Sequence, residues 1–131
     1  MLETTPHTII LAVRDYELDF QGIVNNSVYF NYLEHARHVF LKEKNIDVNA
    51  LFKDGKAAIV VTATLQYKSP LQTGDTFEIQ TTVSSLSIFK AVFKQKIVRK
   101  EDNKIILEAE IISAIIDINT KKPQAIDMLF F

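Results

Sequence analysis

The sequence predicts an α+β fold in which a five-stranded antiparallel sheet wraps around one long central helix. Two patterns carry this expectation. Tyr29, Tyr32, Leu33, Ala36, Phe40 and Leu41 recur at i, i+3, i+4 and i+7 spacing within Ser27 to Lys44, as in an amphipathic helix. From Ala57 onward the period drops to two, through successive stretches joined by short polar connections.

His7 to Arg14 is rich in β-branched side chains and reads as the first strand. Asp15 to Asn26 is polar, contains Gly22 and reads as a loop. Asn26 or Ser27 can cap the helix, and Asn45 stands where a left-handed residue would end it. In Ala57 to Lys68, Ile59, Val61, Ala63, Leu65 and Tyr67 alternate with Val60 and polar residues, which makes a long strand. Pro70 to Asp75 is a turn, followed by strands at Thr76 to Ser84, Ile88 to Lys100 and Lys104 to Asn119. Phe89, Ala91, Phe93, Gln95 and Ile97 share one face of the middle strand. The sequence has only three Gly and three Pro, and they fall where turns are expected, so no linker or repeat is evident. Parallel crossovers need about a dozen residues or more, so the short connections favour antiparallel hairpins. A single sheet leaves its edges open, and long strands of alternating Ile and Val invite pairing with a second copy, hence a homo-oligomer (dimer or tetramer).

A chain of 131 residues suits one domain, taken as 1–131. With 15 Lys+Arg against 16 Asp+Glu, the net charge of −1 gives no general electrostatic reason to bind nucleic acid or an anionic membrane. There is no cysteine, which excludes thiol nucleophiles, disulfides and thiolate metal sites. Met1 to Pro6 lacks the basic and apolar regions of a signal peptide. No run reaches the roughly 18 to 20 apolar residues of a spanning helix. These features predict a cytoplasmic protein that needs no cofactor.

The chemistry concentrates in Val13 to Phe40. Asp19 lies shortly before the helix start, and Gly22 between them lets a backbone approach a ligand closely. A helix N-terminus offers free N–H groups and partial positive charge, which can hold a developing oxyanion. A carboxylate beside such a site suffices to transfer an acyl group to water when the leaving group is good. A thiolate is one, with a thiol pKa of about 8.5. The carboxylate can attack directly or activate water. Taken alone, an Asp before a helix is more often a turn or cap residue.

The residues Glu17, Asp19, Gly22, Val24, Asn25, Asn26, Tyr29, Tyr32, Glu34, Ala36 and Arg37 resemble the signature of the 4-hydroxybenzoyl-CoA thioesterase family, D-x-D-x-x-G-x-V-N-N/Y-x-x-Y-x-x-Y-x-E-x-A-R. Glu17 departs from the pattern, which has Asp there. Tyr67 to Pro70 with Gly74-Asp75, and Lys121-Lys122-Pro123, resemble further family turns, so the likeness covers nearly the whole chain. Val13 to Leu41 is especially similar to plant plastid acyl-ACP thioesterases of the methylketone-synthase type. The resemblance implies a hotdog fold and hydrolysis of an acyl-CoA or acyl-ACP thioester. It makes Asp19 the nucleophile or general base, with the backbone N–H groups of Asn25 and Asn26 polarising the carbonyl. Glu34 is the comparable helix carboxylate of other hotdog branches, though a polar position near Arg37 explains it as well. Asp15 and Glu17 flank Asp19 and are expected to point to solvent.

Gly22, Ile23, Val24 and Tyr29 are the expected substrate contacts, with Phe20, Phe30, Tyr32 and Phe52 as further candidates for an acyl pocket, though such side chains are ordinarily core. Lys90, Lys94, Lys96, Arg99, Lys100 and Lys104 form a basic stripe. It is either a solvated face or a landing patch for coenzyme A phosphates or an acidic carrier protein. His35 and His38 are spaced to share a metal, but no third ligand accompanies them and no metal is expected. His7 has no partner identifiable from sequence. The competing reading of the chain is a non-catalytic acyl-CoA or acyl-chain binding module on the same scaffold.

Overall fold

A computed structural model describes residues 5–126, so Met1 to Thr4 and the end of the 1–131 unit lie outside the described residues. The chain forms β1 (His7–Ala12), a single 3-10 turn (Asp15–Glu17), α1 (Asn26–Glu43), α2 (Val48–Lys53), β2 (Lys56–Tyr67), β3 (Thr76–Ser87), β4 (Lys90–Arg99), β5 (Ile105–Asp117) and β6 (Pro123–Gln124). The sheet is antiparallel in the order β1-β3-β4-β5-β2, with the two-residue β6 beside β5 as an addition to the five expected strands.

Local chemistry sets the boundaries. Asn25, one residue earlier than expected, caps α1: its side-chain oxygen accepts the Ser27 N–H at 3.2 Å. Asn45 takes φ 61° just beyond the helix end, as the sequence predicts. The short helix α2 was not expected; Asp47 caps it by accepting the Asn49 and Ala50 N–H groups.

The apolar stripe of α1 packs against β3 and β1. Tyr32 meets Phe77 with ring centroids 4.7 Å apart, and Phe40 meets Phe93 edge-on at 6.3 Å. Leu33, Ile79, Ile97 and Leu107 complete a core from which solvent is excluded. Each such side chain contributes roughly 1.5–3 kcal/mol of burial. A polar cluster sits inside this core. Gln95 donates to the Leu33 carbonyl (3.0 Å) and the Thr81 hydroxyl (3.1 Å), and Arg37 donates to the Gln95 oxygen (3.0 Å).

Strand β2 differs from the inner strands. Like β1 it is an edge strand, paired among the described residues with β5 alone, and it has an irregularity between Val60 and Thr62. Ile59, Val60, Val61 and Tyr67 are exposed on it. Among the described residues no helix is long and apolar enough to cross a membrane.

Candidate active site

The segment between β1 and α1 folds back on itself. The Asp19 N–H donates to the Ile23 carbonyl at 2.8 Å, and the Gly22 N–H to the Asp19 carbonyl at 3.1 Å. The Asp19 carboxylate closes the same turn: Oδ1 accepts the Gln21 N–H at 2.8 Å and the Ile23 N–H at 3.4 Å. Gly22 holds φ +80°, the left-handed region that disfavours a side chain. A Cβ at Gly22 would meet nothing within 4 Å, so the backbone conformation, not a neighbouring protein atom, calls for glycine there. Asp19 is half-buried, and among the described residues its Oδ2 has no hydrogen-bond partner.

This turn delivers the chain to the start of α1. The Asn25 N–H is engaged by the Glu17 carbonyl at 2.9 Å. That corrects the expectation that Asn25 supplies an oxyanion donor; it caps the helix instead. The Asn26 N–H, first in the helix, has no partner among the described residues. It therefore carries the free, dipole-assisted donor capacity of the helix end.

Glu17 also differs from expectation. It is only 8% exposed, and its Oε1 accepts the Tyr32 hydroxyl at 2.8 Å and the Arg14 N–H at 2.7 Å. Burial, reinforced by this hydrogen bond, pushes the Tyr32 phenol far above its usual range. Glu17 thus clips the loop twice, by side chain to α1 and by carbonyl to Asn25.

The Pro70–Asp75 turn braces the other side. The Val24 N–H donates to the Leu71 carbonyl (2.9 Å), and the Leu71 N–H to the Tyr29 hydroxyl (3.0 Å). Arg99 fixes that turn through Asp75 at 3.3 Å. Val24 and Tyr29, expected at a substrate surface, are therefore core residues that hold the loop, and burial raises the Tyr29 phenol.

Other expected residues are not brought together. Ile23 is half-buried beside Gln72, whereas Phe20 is 95% exposed and Phe30 and Phe52 face solvent. Lys90 opens β4 at the far end of the β3–β4 hairpin from the Asp19 loop. The basic stripe is locally neutralised, with Lys94 at 4.0 Å from Glu110 and Lys100 at 3.9 Å from Glu78. His7, unpartnered in sequence, meets Glu43 at 2.7 Å. A hollow of about 570 Å³ on the sheet is lined mainly by polar side chains such as Thr64, Gln66, Lys94 and Glu108.

Sequence reasoning missed Glu17 and Arg37 as buried groups. Arg37 stands four residues after Leu33 and eight after Tyr29, on the apolar stripe, and that register was the available signal.

Residues 13–129 match the model of the thioesterase-like superfamily. The chain is 39% identical over 104 residues to the chloroplastic acyl-acyl carrier protein thioesterase ATL2 of Arabidopsis thaliana. That match covers 79% of this chain but 55% of the plant protein, so the chain spans little more than half its length. It is 32% identical over 110 residues to the acyl-CoA thioester hydrolase YbgC of Escherichia coli, covering 84% of this chain and 81% of that one. A solved 1,4-dihydroxy-2-naphthoyl-CoA thioesterase from Synechocystis superposes with a TM-score of 0.89 over 93% of this chain and 90% of that one, at 17% identity, a likeness of fold alone.

Proposed function

The chain belongs to the thioesterase-like superfamily and has a hotdog fold, and from that premise we propose that it hydrolyses acyl-CoA or acyl-ACP thioesters at Asp19. One observation carries the reading. A carboxylate with one oxygen locked by the Gln21 amide and one oxygen free stands a single tight turn before a helix whose first amide, Asn26, is also free.

The division of labour follows from that geometry. Oδ1 fixes the orientation of the carboxylate, and Oδ2 attacks the carbonyl carbon or takes a proton from the attacking water. The Asn26 N–H and the helix dipole stabilise the oxyanion as it forms. The thiolate then leaves without an obligatory general acid, and on the direct route water cleaves the acyl–Asp19 anhydride to free the acid and restore the carboxylate. Glu17, Val24, Tyr29 and the Pro70–Asp75 turn hold these groups in place. Gly22 and Ile23 form the wall nearest the reacting carbonyl.

A second copy completes the arrangement in this proposal. The exposed, twelve-residue β2 presents an edge that no strand among the described residues pairs, the surface that pairing between copies would cover.

Thiol release over a panel of acyl-CoA and acyl-ACP substrates tests the reading. Asp19→Asn is expected to lower the rate by about 10² to 10⁴. Full activity in that variant would remove Asp19 from the mechanism. Tight acyl-CoA binding without turnover would favour the binding-module alternative.

A further inference from the structure

Arg37 is the buried charge that the hydrolytic reading leaves unexplained. It is 9% exposed, yet its one hydrogen bond goes to the neutral Gln95 side chain, and among the described residues it forms no ion pair. Glu34, one turn earlier, is exposed and makes no ion pair with it among the described residues, though its charge opposes the effect of burial on the guanidinium and it lines the same pocket. A guanidinium carries several N–H donors in a rigid fork, and burial without a carboxylate is costly for it. Burial accordingly lowers its pKa. The nitrogens that Gln95 does not engage are not sealed in, since none is among the buried unpartnered atoms of the described residues. Arg37 lines a pocket of about 170 Å³ whose other walls include Leu41, Leu51, Ile59, Phe93 and Ile115. The cation is thus set into a wall that is mostly apolar, with Glu34, His38 and Ser113 as its other polar members.

The pocket and the site lie at opposite ends of one stretch of α1 and β2. At one end, the Tyr67 hydroxyl of β2 reaches the Asn26 carbonyl at the start of α1 (3.5 Å). At the other, Ala58 to Val60 of β2 line the pocket with Arg37, His38 and Leu41. Strand and helix are thus brought near each other at two points, in opposite directions, from the Asn26 amide to the guanidinium, while it is α2 that packs on the strand. At about 1.5 Å per residue, that course is ~16 Å long.

We propose that the acyl chain of a thioester held at Asp19 lies between α1 and β2, and that Arg37 selects acyl groups bearing an oxygen acceptor (hydroxyl, keto or carboxylate) near the end remote from the sulfur. The proposal rests on the thioesterase reading for its orientation, and on Arg37 and the pocket alone for the ligand class. An oxygen on the acyl chain satisfies the fork that the fold leaves open, whereas a methyl end leaves it unpaired.

Three CoA thioesters of matched length test this: dodecanoyl, its terminal-alcohol counterpart and the half-thioester of dodecanedioic acid. The full chain is expected to prefer the two oxygen-bearing substrates in kcat/KM by about tenfold to a hundredfold, the range of a charge-assisted hydrogen bond. In Arg37→Met that ratio falls toward one, and Arg37→Lys retains part of it, which also serves if the Met variant fails to fold by circular dichroism. Calorimetric binding of the same thioesters to Asp19→Asn protein reads the subsite without turnover. Preference in binding that is lost in Asp19→Asn/Arg37→Met, with no hydrolysis by the parent chain, would sustain the subsite and sink the thioesterase reading. Equal affinity for all three thioesters, or a preference that survives Arg37→Met, overturns the proposal. So does dissociation of an oligomer by Arg37→Met without any change in preference, since the guanidinium would then be satisfied by a second copy.

Discussion

Strands β2 and β3 are both twelve residues long, and both alternate β-branched with polar side chains, yet the fold treats them oppositely. Along β3, Phe77, Ile79 and Thr81 are sealed under α1. Along β2, Val60 and Val61 stay exposed, and the helix packed against that strand is the short α2. The difference lies in neighbours. β3 sits between β1 and β4, inside the sheet and beneath the aromatic stripe of α1, whereas β2 has β5 on one side and an open edge on the other. Alternation in sequence marks a strand with an apolar face. It does not say whether that face is covered within one chain, by a second chain or by a ligand.

The largest expected effect breaks this comparison if it fails. Phe77→Ala should destabilise the chain by about 3–5 kcal/mol, the cost of emptying a sealed aromatic site. Val61→Ala, on the exposed strand, should cost the monomer no more than about 0.5 kcal/mol. Urea unfolding at concentrations low enough to hold the monomer measures both. At higher concentration, Val61→Lys should lower the apparent mass by light scattering if β2 is the surface shared between copies. Equal losses for the two alanine variants in the monomer would mean that β2 is covered within one chain after all.

The helix and the long strands were legible because their periods are uninterrupted: Tyr29 to Leu41 for α1, Ile59 to Tyr67 for β2. The start of α1 shifted by one residue because Asn25 and Asn26 are chemically equivalent caps until the Glu17 carbonyl engages the Asn25 amide. The small elements were missed for a different reason. Helix α2 depends on the Asp47 cap more than on any apolar period, and β6 is two residues paired at long range to β5. Asp19 was singled out through the motif around it, while the pocket beside Arg37 was not. Phe20 and Phe52 are apolar by type yet exposed, and Arg37 is charged yet buried, so composition pointed away from both. Lys90 belongs with them, because one-dimensional clustering of lysines hid the carboxylates that cross-strand pairing places opposite their neighbours.

An intermediate effect tests how the covered side supports the open one. Tyr32 belongs to the aromatic stripe above β3, and its hydroxyl holds Glu17 beside the Asp19 loop. Tyr32→Phe removes a buried partner from a carboxylate, at a cost of about 1–3 kcal/mol. Glu17→Gln keeps an acceptor for Tyr32 and for the Arg14 amide, so its loss should be smaller. In both variants kcat is expected to fall more than KM rises, because the loop that carries Asp19 loosens while the pocket beside Arg37 is untouched. A purely structural role would lower stability and leave the kcat to KM balance as in the parent. Glu17→Asp, the residue of the family pattern, should rescue Glu17→Gln only as far as the shorter side chain still reaches Tyr32.

The smallest expected effect separates site from scaffold most cleanly. Gly22 and Gly74 hold nearly the same conformation, φ +80° and +79°, and a Cβ at either would meet nothing within 4 Å. Alanine at each therefore meets the same backbone penalty, about 1 kcal/mol of stability. Their positions differ. Gly74 lies in the Pro70–Asp75 turn, which feeds β3 and braces the loop from outside it, while Gly22 lies in the turn that Asp19 itself closes ahead of α1. Thermal unfolding should show matched losses for Gly22→Ala and Gly74→Ala, and thiol-release kinetics should not: kcat/KM is expected to fall several-fold further in Gly22→Ala. Equal activity losses would mean that the Asp19 turn matters only through the stability of the whole chain, and the carboxylate would need another explanation for its place there.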